Sequence, residues 1–290
     1  MRFWQRLLPG KKPPSQRAEE EPPRAKPVLQ GRRTHVGWAT DVGRVRTHNE
    51  DAILISEANQ EGGESLLPFG LFVLADGMGG HRSGEVASAL AARAVARHVV
   101  QQVYLATLSR REHCADQPSL SEVLTEAVNL ANTAVSSAVP GAGTTLTCVL
   151  LIGRQAHIAH VGDSRAYLTS PDGLKQITRD HSLVDRLVEM GQLTAEEAAS
   201  HPQKNVLYRA VGQSGVLEVE TYLCSVPPGC SLLLCSDGLW SMVSDEKMAR
   251  VIAEAPSHQA ACETLVEAAN ELGGRDNITA ILVRPAGEWE

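Results

Sequence analysis

No apolar run in this 290-residue chain approaches the roughly 18 residues that a membrane-spanning helix needs, which leaves a soluble or peripheral protein. Nor is there a Cys-x-x-Cys pair. The six cysteines stand apart at 114, 148, 224, 230, 235 and 262. Four of them lie in apolar or helical stretches, where a reduced thiol behaves as a small hydrophobe. A signal-peptide core is also missing, so a reducing cytoplasm is the expected location. A cysteine nucleophile of the Cys-x5-Arg kind is not expected. The chain lacks a basic surplus as well: 34 Asp and Glu face 27 Lys and Arg, for a net charge of −7. That charge is unevenly divided. Residues 1–33 hold nine Lys and Arg against three Glu, so the remainder carries −13. An acidic body argues against nucleic-acid binding, which needs a basic face, and suits one that gathers cations at carboxylates.

What remains is ordinary for a globular fold, with 43% hydrophobic and 21% charged residues, in a length that suits one large domain. Residues 1–33, with six of the fifteen prolines and the run Glu19-Glu20-Glu21, are expected to form a disordered, basic, Pro-rich tail. At its start Phe3 falls over Leu7 and Trp4 over Leu8 at i,i+4 spacing. Eight residues are too few to hold a helix alone in water, so a frayed terminus is the plainer expectation and weak contact with a membrane surface the alternative. Residues 34–286 form the second region. Short β-branched or Leu-rich runs predict strands at 52–56, 69–75, 144–152, 155–160, 165–169, 217–224, 231–236 and 277–283. Helical spacing covers 84–107, 119–138, 244–254 and 257–272. Strand clusters joined by turns such as Pro171-Asp172-Gly173 indicate antiparallel sheets with helices outside, an α+β fold.

Five acidic motifs lie at the ends of these runs: Asn49-Glu50-Asp51, Asp76-Gly77-Met78-Gly79-Gly80, Gly162-Asp163-Ser164-Arg165, Ser236-Asp237-Gly238 and Arg275-Asp276-Asn277. Singly, each is more often a turn than a ligand. Together they point to a shared site for Mg²⁺ or Mn²⁺, because these hard ions take oxygen ligands and a Gly after an Asp leaves its backbone carbonyl open.

Their order, from Thr40-Asp41-Val42-Gly43-Arg44-Val45-Arg46 to Gly274-Arg275-Asp276-Asn277-Ile278-Thr279, resembles the metal-dependent protein phosphatases of type 2C over residues 34–285. The Asp-Gly-Met-Gly-Gly-His form at 76–81 looks like the bacterial branch. The resemblance implies a two-sheet antiparallel β-sandwich flanked by helices in α-β-β-α order. It implies a Ser/Thr phosphoprotein phosphatase in which hydroxide bridging two Mn²⁺ or Mg²⁺ ions attacks directly. By resemblance Asp76 bridges the ions, Asp237 and Asp276 complete the first, the Gly77 carbonyl serves the second, and Glu50 and Asp51 bind the second directly or through its waters. Arg46 would hold the phosphate with parallel guanidinium donors.

Asp163, with Asp237, matches a third, weaker ion site, though it could instead cap a turn and pair with Arg165. Residues 182–208 resemble a mobile flap, with a plain surface loop equally open. Gly143-Thr144-Thr145 resembles a close-packing feature and is assigned no chemistry. The general acid is left unassigned, since Met78 stands where animal members carry a His and neither His81 nor His181 can be placed from sequence. Implied partners are phosphorylated Ser/Thr proteins, a Ser/Thr kinase among them, acted on by a monomer in signalling. Two rivals stay open: a pseudophosphatase-type binding module, and a phosphomonoesterase for a small metabolite.

Overall fold

A computed structural model describes residues 34–59, 67–79, 83–109 and 118–286. The expectations for the tail, Cys114 and His81 lie outside the described residues. Strands β1 (His35–Asp41), β2 (Asp51–Ala58) and β3 (Phe69–Met78) lead into α1 (Ser83–Val99), which runs through a π-helical turn at Val100–Tyr104 into α2 (Leu105–Leu108). After α3 (Leu120–Ala138) come β4 (Gly143–Thr144), β5 (Leu146–Ile152), β6 (Gln155–Val161), β7 (Arg165–Ser170) and β8 (Gly173–Gln176). The chain continues through α4 (Leu183–Glu189), α5 (Ala195–Ser200), β9 (Glu220–Ser225), β10 (Ser231–Cys235), α6 (Asp237–Trp240), α7 (Asp245–Glu254), α8 (His258–Glu271) and β11 (Ile278–Arg284).

These strands make two antiparallel sheets. One has the order β1-β11-β10-β7-β8, the other β2-β3-β5-β6-β9 with β4 beside β3. Period-two side-chain alternation explains the layering, because a strand buried on both faces sends odd and even residues into different cores. In β3, Phe69, Leu71, Val73 and Ala75 pack with α1 and α3, while Phe72 and Leu74 point into the space between the sheets. β10 repeats the device: Leu233 and Cys235 join the cluster with α7 and α8, and Leu232 and Leu234 face the other sheet. The expected α-β-β-α sandwich is therefore present. Its outer helices begin with side-chain caps: Ser119 and Glu122 close a capping box on α3, and Ser244 and Ser257 cap α7 and α8. At the free edge of β1, Gln259 accepts from the Trp38 N–H at 3.1 Å and donates to its carbonyl at 2.9 Å, which satisfies that part of the edge from within.

Most differences from the sequence expectations are local. The 84–107 helix is broken by the π-helical turn, and the 144–152 strand is split at Thr145. The strand expected from 217 begins at Glu220. Neither β1 nor β8 was expected as a strand.

Leu234 is fully buried between the sheets. Leu234→Ala is expected to lower unfolding free energy by about 2–5 kcal/mol, read from the denaturant midpoint at fixed metal concentration.

Candidate active site

The acidic motifs come together at one end of the two sheets. Asp51 and Asp76 are direct register partners on β2 and β3. β3 does not end at Asp76, as the sequence suggested, but continues through Gly77 and Met78, which pair with β4. Asp237 opens α6, Asp276 lies in the turn before β11, and Asp163 sits in the turn between β6 and β7. A cleft of about 470 Å³ is lined by Arg46, Glu50, Asp76, Gly77, Asp163, Asp237 and Asp276. Asp51 stands behind this lining. One of its oxygens accepts from the hydroxyls of Thr279 at 2.6 Å and Ser236 at 2.9 Å. Its other oxygen, like Oε1 of Glu50, is buried with no hydrogen-bond partner among the described residues.

So many carboxylates in one place repel one another. Burial, then the charges of Asp51, Asp237, Asp163 and Asp276, pushes the Asp76 carboxyl well above its ordinary range. Asp237 is raised for the same reasons, burial first, with Arg46 opposing. Burial raises Asp51 to about 6 against the pull of its hydroxyl donors, and raises Asp163 to about 7 with help from Asp180. Burial likewise raises Glu50.

Hard oxygens, mutual repulsion and two orphaned buried carboxylate atoms fit a divalent-cation site. Among the described residues no three His, Cys, Asp or Glu side chains already close on one ion. Mg²⁺ and Mn²⁺ keep several waters in such sites, so the side chains need not converge tightly on one point. One oxygen of Asp276 is also engaged by Arg46 Nη2 at 2.6 Å.

Backbone geometry fixes the candidate ligands. A Cβ on Gly77 would sit 2.2 Å from the Gly84 carbonyl oxygen and 2.7 Å from that of Glu50, so only glycine fits between β2 and α1. The Gly77 N–H donates to the same Glu50 carbonyl at 3.1 Å. Gly143-Thr144-Thr145 does more than pack. The Asp76 carbonyl accepts from the Thr145 N–H at 2.8 Å and the Thr144 hydroxyl at 2.9 Å, while the Asp76 N–H donates to Thr145 Oγ1 at 3.0 Å.

Asn277 is a functional residue that the sequence motif contained without revealing its role. Its buried amide donates to the carbonyls of Val42 at 3.0 Å and His48 at 2.9 Å and accepts from the Glu50 N–H at 2.8 Å. It thereby pins the loop that carries both Arg46 and Glu50. Gly43, at φ +82°, lets that loop approach the turn before β11, where the Arg44 N–H donates to the Gly274 carbonyl at 2.7 Å.

Asp163 does not pair with Arg165. That guanidinium instead binds Asp180 at 2.7 Å and stacks 3.6 Å from the Trp240 ring centroid, while Trp240 Nε1 donates to the Asp163 carbonyl at 3.0 Å. From the 182–208 segment, Asn205 and Leu207 line the cleft, so that excursion borders the site. His48 lines the cleft and His181 does not. One Cys-x5-Arg spacing does occur, at Cys148 and Arg154, but it is no phosphate loop. Cys148 is fully buried in β5 with its thiol pushed up to about 12, and Arg154 donates to the Val226 carbonyl.

Comparison with known proteins agrees with this geometry. The family model for protein phosphatase 2C matches residues 43–281. The chain is 38% identical over 249 residues to the serine/threonine phosphatase stp of Listeria innocua, covering 86% of this chain and 95% of that one. It is 36% identical over 248 residues to the protein phosphatase PhpP of Streptococcus pneumoniae, covering 86% and 96%. Among solved structures, the Mycobacterium tuberculosis serine/threonine phosphatase PstP/Ppp superposes with a TM-score of 0.69 at 34% identity, covering 88% of this chain and 99% of that one. The catalytic domain of PstP in complex with two manganese ions gives 0.68 at 33% identity, with the same coverage. The chain belongs to the protein phosphatase 2C family, as a metal-dependent serine/threonine phosphatase of the bacterial kind. Its cofactors are Mn²⁺ or Mg²⁺, as in that two-manganese relative.

The raised carboxyls set a pH dependence. A carboxyl whose folded pKa exceeds its ordinary 3.8, as Asp51 does at about 6 and Asp163 at about 7, binds more protons folded than unfolded between those values. Metal-free protein is therefore expected to lose stability as pH rises from about 4 through about 7. Cations compete with those protons, so Mn²⁺ is expected to raise Tm more at about pH 7.5 than at about pH 5.5, as read by calorimetry.

Proposed function

We propose that this chain hydrolyses phosphoserine and phosphothreonine in proteins, a Ser/Thr protein kinase among its substrates, as a cytoplasmic monomer in signalling, with residues 34–286 as the catalytic unit and 1–33 as a tail apart from it. The family match over 43–281 supports that division. The observation that carries the function is the convergence of Arg46 with Glu50, Asp76, Asp163, Asp237 and Asp276 on one cleft.

Asp76, backed by Asp51, would bridge two ions; Asp237 and Asp276 would complete the first, and Glu50, Asp51 and the Gly77 carbonyl the second. Asp163 with Asp237 would hold a third. Bound there, Mn²⁺ or Mg²⁺ supplies Lewis-acid charge against the phosphoryl oxygens and lowers the pKa of water. The chain's own groups do the rest. Arg46, half exposed at the mouth and tied to Asp276, orients the phosphate with its remaining guanidinium N–H groups. Asn277 keeps Arg46 and Glu50 in register. Asn205 and Leu207 wall one side of the cleft. Full retention of the carboxylates supports an enzyme over a pseudophosphatase-type module.

Purified protein is expected to release phosphate from phosphothreonine peptides with Mn²⁺ and to stop in excess EDTA; turnover of sugar phosphates alone would select the small-metabolite alternative. Asp76→Asn should lower kcat about a hundredfold or more with the fold retained by circular dichroism. Arg46→Ala should raise KM about tenfold, because ground-state phosphate contacts are lost.

A further inference from the structure

His181 is fully buried outside the cleft lining, yet it touches both the Asp163 turn and the neck of the 182–208 excursion. Its backbone N–H donates to the Gly162 carbonyl at 2.7 Å, and its ring Nδ1 accepts from the Gly162 N–H at 3.1 Å. Both polar groups of the residue before Asp163 therefore end on His181, with His160 Nε2 also 3.0 Å from that carbonyl. The His181 carbonyl accepts from the Tyr208 N–H at 3.0 Å. One residue further in, Ser182 and Leu207 form a single antiparallel bridge, and the Leu183 N–H donates to the Val206 carbonyl at 2.8 Å. These bonds close the neck of the 182–208 excursion onto the Asp163 turn.

The ring's tautomer follows from the network. A backbone N–H can only donate, so Nδ1 is the acceptor and the neutral ring carries its hydrogen on Nε2. Nε2 then faces Glu220 Oε1 at 3.4 Å, a carboxylate that Arg209 Nη1 also reaches at 3.4 Å. The turn itself has little slack. Gly162 sits at φ +112°, and a Cβ there would lie 2.6 Å from the Thr145 side chain.

We propose that His181 is a positioning residue that joins the neck of the 182–208 excursion to the Asp163 turn and so sets the affinity of the ion that Asp163 helps to hold. This rests on the assignment of Asp163 as a ligand. Groups bonded directly to a ligand change metal affinity about 10- to 100-fold when removed, and His181, bonded one residue before Asp163, is expected at the lower end of that range.

Two full-length variants test it. His181→Phe keeps an aromatic ring in the packing but strands the Gly162 N–H, whereas His181→Asn returns an acceptor near the place of Nδ1. Mn²⁺ binding is followed by isothermal titration calorimetry, and exchange of the Gly162 and Asp163 amides by NMR without metal. His181→Phe is expected to weaken only the weakest Mn²⁺ site, about tenfold, and to speed both amides' exchange, while His181→Asn stays within about threefold of wild type. A merely structural role would weaken all Mn²⁺ sites together, or make both variants equally poor, and would overturn the proposal. Wild-type Mn²⁺ binding and exchange in His181→Phe would overturn it alone. Only two Mn²⁺ ions on wild-type protein would overturn the Asp163 assignment and the proposal with it.

Discussion

Carboxylate repulsion at the end of the sandwich is the constraint on which the rest of the structure depends. Five Asp and Glu side chains line one cleft, a sixth, Asp51, stands behind them, and burial holds Asp76 and Asp237 far from their ordinary protonation. Without cations such a cluster opposes folding, so its presence has to be supported by contacts elsewhere. The apolar layers provide that support. β3 and β10 are buried on both faces, and each carries an acid at its far end or just beyond it: Asp76 within β3, Asp237 after β10. The strands that form the core are thus the strands that aim these carboxylates.

Rigidity around the cluster comes from small, polar residues rather than from more charge. Gly77 and Gly238 admit backbone where a Cβ would sit 2.2 Å from the Gly84 carbonyl oxygen and 2.1 Å from that of Asn277. Hydroxyls complete the frame: Ser236 and Thr279 hold Asp51, and Thr144 and Thr145 bracket the backbone of Asp76. Neutral donors suit this task, because they stabilise a carboxylate while leaving its remaining oxygen free for a cation. The orphaned Asp51 oxygen is what such an arrangement leaves over.

Much of this was legible in the sequence. Long periodic stretches gave α3, α7 and α8 within a residue or so, and the acidic motifs identified residues that share one cleft although more than 200 positions separate Arg46 from Asp276. What escaped has physical causes. β1 alternates only weakly and is an edge strand covered by α8, so its burial pattern carries little signal. β8 is four residues long and nowhere fully buried. The π-helical turn after Val99 contains no Gly or Pro, so no breaker in the sequence marks it. The roles of Asn277, Thr145 and His181 rest on contacts with residues distant in sequence or on backbone atoms, which no local pattern encodes. Arg165 shows the converse hazard. Its nearness in sequence to Asp163 suggested a pair, but the guanidinium had a better partner in buried Asp180 and a flat surface in Trp240.

That last substitution of partners has a consequence for Asp163. With Arg165 committed to Asp180, no described cation lies within ion-pairing distance of the Asp163 carboxylate, and its neighbour Asp180 adds negative charge. The protein holds the turn by its backbone instead, through Trp240 on the Asp163 carbonyl and through His181 on Gly162. A carboxylate fixed by its main chain, on which Arg165 acts only from beyond ion-pairing distance, is suited to a cation from solution. An Arg in that place would fill the position permanently, whereas the divalent ion proposed there would fill it reversibly, so that its occupancy would follow metal concentration.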